Sequence, residues 1–173
     1  MSDKQTKISR RKFVSATASS TFALTVVPRH VLGGPGVTPP SEKLNIACIG
    51  CGGKGDSDVN GVASQNLVAL CDVDWNRGAK AFEKHPDAAK YTDFRVMLDK
   101  EKTIDAVTIS TPDHVHAPAA MMAIQRGKHV YVQKPMTHSV VEAQKLMAAA
   151  TAQKVATQMG NQGHASDLSL IHI

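Results

Sequence analysis

The chain has 173 residues, room for one domain of ordinary size plus a tail, and its 42 % apolar content supports a folded core. Its net charge of +5 does not mark a nucleic-acid binder. Residues 1–30 carry six basic side chains against one acid, and the remainder holds 14 of each sign, so the body is neutral and offers no basic footprint. Seven aromatic residues leave little surface for stacking bases. Three cysteines, an odd number, do not make a disulfide framework.

Arg10, Arg11 and Lys12 precede a mildly apolar stretch at 13–27, in which six of fifteen residues are Ser or Thr. Fifteen residues are too short for a stable membrane span, which takes about 20. The basic start, the short apolar run and the arginine pair resemble a twin-arginine export signal. That resemblance implies a periplasmic or exported protein; a disordered basic tail with a chance Arg-Arg pair is the alternative. The twin-arginine route carries folded proteins, so a cytoplasmic cofactor can be loaded before export. Residues 1–30 are expected to form the signal segment and residues 31–42, rich in Gly and Pro, a linker. No clear cleavage site follows the apolar run.

From Lys43 the pattern changes to alternating strand and helix. Residues 44–49 form a short apolar run ending at glycine, the pattern of a buried parallel strand. A helix is predicted at 55–64, with Val59, Val62 and Ala63 on one face. Strand 66–71 follows, then a helix over 75–85, a brief strand near Tyr91 and a short helix at 94–98. Strand 106–110 is halted by Thr111-Pro112. A helix over 117–126 stops at Gly127, a favoured C-terminal position. Strand 129–132, helix 139–150 and strand 155–159 complete the series. This rhythm implies right-handed crossovers and a parallel, doubly wound α/β sheet, a Rossmann fold over residues 43–165. Met121, Met122, Leu146 and Met147, at helical spacing, are expected in its core.

Gly50-Cys51-Gly52-Gly53-Lys54-Gly55 reads G-x-G-x-x-G. It follows a strand, opens a helix and is trailed by Asp72, 22 residues after Gly50; together these are the contextual signs of a dinucleotide site. Gly50 permits the tight turn, Gly52 lets backbone approach a pyrophosphate, and Gly55 allows helix to pack on strand. The helix N-terminus offers free N–H groups to the phosphates, with Gly53 beside them. Asp72 is placed to bind the adenosine ribose and to repel a 2′-phosphate, which favours NAD over NADP. Arg77 stands against that preference, and Asp74 is a weaker candidate for the ribose. Cys48 and Cys51 form a C-x-x-C spacing, but one lies in a strand and the other in the glycine loop. Redox motifs instead open a helix directly.

Three further stretches extend the pattern: Ser110-Thr111-Pro112-Asp113-His114-Val115-His116, Gln133-Lys134-Pro135, and Thr157-Gln158-Met159-Gly160-Asn161-Gln162. With the glycine loop, they make residues 43–165 resemble the glucose–fructose oxidoreductase / inositol dehydrogenase (Gfo/Idh/MocA) family. The first is similar to its T-P-x-x-x-H segment and the second to its Glu-Lys-Pro. Each lies at the C-terminal end of a strand, where open α/β sheets gather ligands. The resemblance implies NAD-dependent hydride transfer on a sugar, polyol or derivative, by a homo-oligomeric parent protein. It assigns Lys134 to substrate positioning and proton handling, Gln133 to cofactor or substrate contact, and Thr111, Pro112, His116 and Lys134 to the cofactor side. Gln133 departs from the usual glutamate: it keeps hydrogen-bonding capacity but brings no charge and cannot act as a base. Pro135 is a candidate for a cis peptide.

Asp113, His114 and His116 also suggest a metal site. Residues two apart in a turn rarely converge on one ion, so no metal is expected. His138 either faces the site or lies on the surface. Members of the family continue into a second α/β domain, and residues 166–173 do not read as the helix expected next. That tail is expected to be truncated or foreign, and catalysis to belong to the parent protein. The competing functions are an NAD-dependent glycosidase-like reaction and a non-catalytic NAD-binding module.

Overall fold

The computed structural model describes residues 38–165. The signal segment, most of the linker and the tail at 166–173 lie outside the described residues. Six strands alternate with five helices: β1 (Asn45–Ile49), α1 (Lys54–Gly61), β2 (Asn66–Cys71), α2 (Trp75–Lys84), β3 (Ala89–Tyr91), α3 (Phe94–Lys100), β4 (Ala106–Ile109), α4 (Asp113–Gln125), β5 (His129–Gln133), α5 (Val140–Gln153) and β6 (Thr157–Gly160). All pairings are parallel, in the order β3-β2-β1-β4-β5-β6. The order reverses between β1 and β4. A doubly wound sheet opens its ligand crevice at such a reversal, outside the carboxyl ends of the strands.

The two-residue period of the strands divides the core into two layers. Ala47 and Ile49 of β1 pack with α3, α4 and α5, whereas Ile46 and Cys48 pack with Val59 of α1 and with Ala81 and Phe82 of α2. On β5, Val130 and Val132 join the first layer. Tyr131 and Gln133, alternating with them, project to the α1 side. That parity sets up the polar contacts described below.

Helix boundaries differ from expectation where Pro and Gly stand. α4 begins at Asp113, four residues early, because Pro112 supplies a helix-compatible φ of −59° at the N-cap and Asp113 suits the positive helix end. Pro118 lies inside this helix without ending it. α1 stops at Gly61, so the predicted helical run 62–64 is a turn and Ala63 is exposed. Met147 is corrected: it is 67 % exposed while Leu146 is buried, because one residue rotates a helix by about 100°. α5 starts with a reciprocal cap. Ser139 Oγ accepts from Glu142 N–H, and Glu142 Oε2 accepts from the N–H groups of Ser139 and His138.

Candidate functional site

The glycine loop is fixed by steric need at two positions. Gly50 has φ +83°, and a Cβ there would lie 2.6 Å from the Ser110 carbonyl oxygen; at Gly55 it would lie 2.1 Å from the Gly50 carbonyl oxygen. No side chain fits either place, so β1, α1 and the end of β4 meet backbone to backbone. The close neighbour of Gly52 is α2: its added Cβ would stand 2.9 Å from both the Cβ and the carbonyl oxygen of Arg77. Gly53 forms the N-cap of α1 with φ +57° and no side-chain cap. No side-chain oxygen caps the first turn of α1; the Gly52 carbonyl oxygen takes the Gly55 N–H at 2.9 Å, and N–H groups left over at this helix start suit an anionic ligand.

Asp72 closes β2 against this loop. Its Oδ2 accepts from Cys51 N–H at 2.7 Å and Gly52 N–H at 3.2 Å, and its Oδ1 accepts from Asp74 N–H at 3.0 Å. The loop contact was not legible in the sequence. A carboxylate has about four lone-pair sites, so three backbone bonds leave acceptor capacity for a ribose hydroxyl. The Asp74 side chain is engaged elsewhere, capping α2 by accepting from Asn76 and Arg77 N–H.

A cleft of about 700 Å³ lies over these groups, lined among others by Gly50, Gly52, Asp72, Arg77, Ser110 and Thr111. Two other cavities of similar size lie over α4–α5 and over the β1–β4–β5–β6 part of the sheet; neither includes the glycine residues of the loop. Inside the cleft rim, the Thr111 hydroxyl is buried with no hydrogen-bond partner among the described residues. A buried orphan hydroxyl is costly unless a ligand reaches it. The loop, Asp72 and this hydroxyl together fit a dinucleotide.

His116 joins the second and third motifs. It is 1 % exposed, with Nδ1 2.6 Å from the Pro135 carbonyl oxygen and Nε2 2.8 Å from the Thr111 carbonyl oxygen. Both partners are acceptors, so the ring donates to one in its neutral form and to both when charged. The contact holds the Thr111-Pro112 turn beside the Lys134–Pro135 peptide, which is cis. Lys134 itself is exposed and makes no hydrogen bond or ion pair with the described residues. His114 lines the cleft and is exposed, and His138 is exposed. Among the described residues no cluster of three or more His, Cys, Asp or Glu is placed to hold a metal ion.

Gln133 is 4 % exposed, and its amide donates to Asp58 Oδ2 of α1 at 2.8 Å. Sequence reading missed Asp58 altogether. It lies eight residues past Gly50 in a helix whose pattern is dominated by its apolar face, and only the sheet order brings it to β5. The three cysteines are buried, and burial raises all three thiols, Cys48 to about 11 and Cys71 to about 12. Burial thus disfavours the thiolate at all three, which supports a packing role for the C-x-x-C spacing.

Comparisons with known proteins agree with this geometry. The profile of the oxidoreductase family with an NAD-binding Rossmann fold, Gfo/Idh/MocA, matches residues 44–161. A glycosyl hydrolase family 109 protein of Shewanella sp. (strain ANA-3) is 32 % identical over 146 residues, 78 % of this chain and 31 % of the relative. An inositol 2-dehydrogenase of Saccharopolyspora erythraea is 28 % identical over 61 % of this chain and 32 % of its own length. The crystal structure of GenD2 from gentamicin A biosynthesis, in complex with NAD, aligns with a TM-score of 0.65 at 28 % identity, over 78 % of this chain and 37 % of that one. The chain thus spans about a third of the length of the curated relatives it matches. No helix among the described residues is long and apolar enough to cross a membrane. The parallel sheet, the glycine cleft and the family match converge: this chain belongs to the Gfo/Idh/MocA oxidoreductase family, as its NAD-binding Rossmann domain.

Proposed function

We propose that the protein carrying this domain transfers hydride between NAD and a hydroxyl-bearing carbon of a sugar, polyol or derivative. The observation that supports the proposal is the His116 bridge, which ties the Thr111 carbonyl at the cleft rim to the Pro135 carbonyl, one residue past Lys134, an unpaired cation among the described residues. Gly50, Gly52, Gly53 and Gly55 would hold the pyrophosphate, Asp72 the adenosine ribose, and Thr111 and Pro112 the nicotinamide side. NAD, when bound, supplies the hydride acceptor. Lys134, oriented by the strand before it and the proline after it, positions the substrate hydroxyl and handles its proton. The Asp72 carboxylate favours NAD over NADP, because a 2′-phosphate would meet a negative charge.

An NAD-dependent glycosidase-like reaction is the second reading, favoured by the family 109 relative. A turnover assay with NAD and a panel of polyols, aldoses and glycosides separates the two. Accumulation of NADH supports the dehydrogenase, and sugar release without net NADH supports the glycosidase. In the protein that carries this domain, Lys134→Ala should abolish turnover and leave NAD affinity within about threefold, since a lost ground-state contact of a solvated side chain is small. Surviving activity removes Lys134 from the chemistry. Export by the twin-arginine route, from Arg10 and Arg11, and a homo-oligomeric parent belong to the same proposal.

A further inference from the structure

Three side chains from three different segments converge on one carboxylate. Asp58, on α1, has a side chain only 9 % exposed. Its Oδ2 accepts from Ser110 Oγ at 2.6 Å and from Gln133 Nε2 at 2.8 Å, across 52 and 75 residues of sequence. Its Oδ1 accepts from Lys54 Nζ at 2.5 Å, one turn earlier on the same helix. Each partner borders a motif of the cofactor site. Lys54 is in the glycine loop, Ser110 precedes Thr111-Pro112, and Gln133 precedes Lys134. Ser110 and Lys54 also line the cleft.

The chemistry of the pair is constrained from both sides. A carboxylate only accepts, so the Gln133 amide must present its NH2 group to Asp58. A glutamate at 133 would bring two carboxylates to the same spacing, where like charges repel and a donor is missing. Lys54 already meets the charge of Asp58, so no cation is left over among these groups to neutralise a second acid. Neutral Gln133 is thus matched to acidic Asp58.

We propose that Asp58 is a positioning residue of the NAD cleft. It draws the ends of β4 and β5 onto the helix that follows the glycine loop, and the amide at 133 is the half of the pair that makes this possible. Through Ser110 it sets the Thr111 rim, and through Gln133 it sets the start of the Lys134–Pro135 segment. Asp58 touches neither cofactor nor substrate in this role. The inference rests on NAD binding in the glycine cleft.

The test uses the 173-residue chain and three variants of nearly equal volume: Q133E, D58N and D58N/Q133E. NAD affinity is read by titration calorimetry and Tm by scanning calorimetry. Q133E should weaken NAD binding on the order of tenfold and lower Tm, because the acid pair pushes β5 from α1. D58N, with one acceptor oxygen where two worked, should weaken binding by about threefold to tenfold. In D58N/Q133E the amide and the acid exchange places and net charge is kept, so affinity should return to within about threefold of the parent. Rescue of this kind is not expected if the two residues only fill space. Parent-like affinity in Q133E, or a double variant no tighter than Q133E, overturns the proposal. A parent chain without NAD affinity overturns the cofactor reading, and the positioning role with it. That failure is distinguishable, because the Tm series still reports whether positions 58 and 133 are paired.

Discussion

Replacing Gly55 by alanine adds one methyl group to the most crowded point of the glycine loop. Its Cβ would lie 2.1 Å from the Gly50 carbonyl oxygen and 2.7 Å from the carbonyl carbon, both backbone atoms, whereas ordinary contact begins at 3.4 Å. α1 must therefore retreat from β1 by more than 1 Å, or the Gly50 turn must open. Neither neighbour is the end of a flexible side chain that can swing aside. Overpacking of this kind costs about 1–3 kcal/mol, and rigid backbone on both sides places Gly55→Ala at the upper end. In a domain of this size each kcal/mol lowers Tm by about 3–6 °C, so a fall of about 10 °C is expected. NAD affinity should fall at least about tenfold, because the amides of the first turn of α1 move with the helix. Gly61→Ala is the control, in the last turn of the same helix with nothing within 4 Å of the added Cβ. It should leave affinity unchanged and raise or hold Tm, since alanine restricts the unfolded chain more than glycine. Scanning and titration calorimetry on both variants decide the matter. If Gly55→Ala melts and binds like Gly61→Ala, the backbone contact is not what shapes the loop.

Three further outcomes are expected. His116→Ala removes a buried ring that spans two carbonyls; stability should fall by about 2–4 kcal/mol in urea unfolding, and in the protein that carries this domain turnover should fall more than NAD affinity as Lys134 loses its registration. A KM increase without a kcat change would contradict that. Ser139→Ala removes the cap of α5 and should cost about 1 kcal/mol in the same assay; an unchanged unfolding midpoint would mean the cap adds nothing. Glu142 gives the cap a pH dependence. Backbone N–H groups of Ser139 and then His138 hold its carboxyl below the usual carboxylate range. With its folded value depressed, its contribution is complete above the unfolded carboxylate value of about 4.3 and is lost as pH falls through the folded one. The Tm gap between the parent and Glu142→Gln should therefore close between about pH 5 and pH 3, and a gap constant over that window would contradict the assignment.

The fold was legible because its signals are local and repeat. Strands such as 106–109 are short apolar runs, and glycine, proline and Asp mark their ends, so order and type of element survive even where boundaries move. Pro112 misled the start of α4 because it reads as the stop of the strand before it, whereas it stands at the N-cap, where a missing N–H costs little. The glycine loop was legible because three glycines at fixed spacing have a steric cause, seen in the contacts of Gly50 and Gly55. Asp72 was legible as an acid at the end of β2, but its hold on the Cys51 and Gly52 amides was not, since that needs the loop to fold back on the strand end. Asp58 was invisible for a stronger reason. Its partners lie 52 and 75 residues away and meet it only because β4 and β5 follow β1 in the sheet. The exposure of Met147 next to buried Leu146 shows the same limit at the scale of one residue.

In the proposed arrangement NAD lies in the cleft lined by Gly50 and Gly52, with Asp72 on the adenosine ribose. Titration calorimetry of the chain with NAD and with NADP, repeated on Asp72→Ala, tests that arrangement most directly. Saturable binding of NAD and weaker binding of NADP are expected. The variant should lose about tenfold to a hundredfold in NAD affinity, the cost of a hydrogen bond to a charged acceptor. Equal NAD affinities for parent and variant, or tighter binding of NADP by the parent, would contradict it.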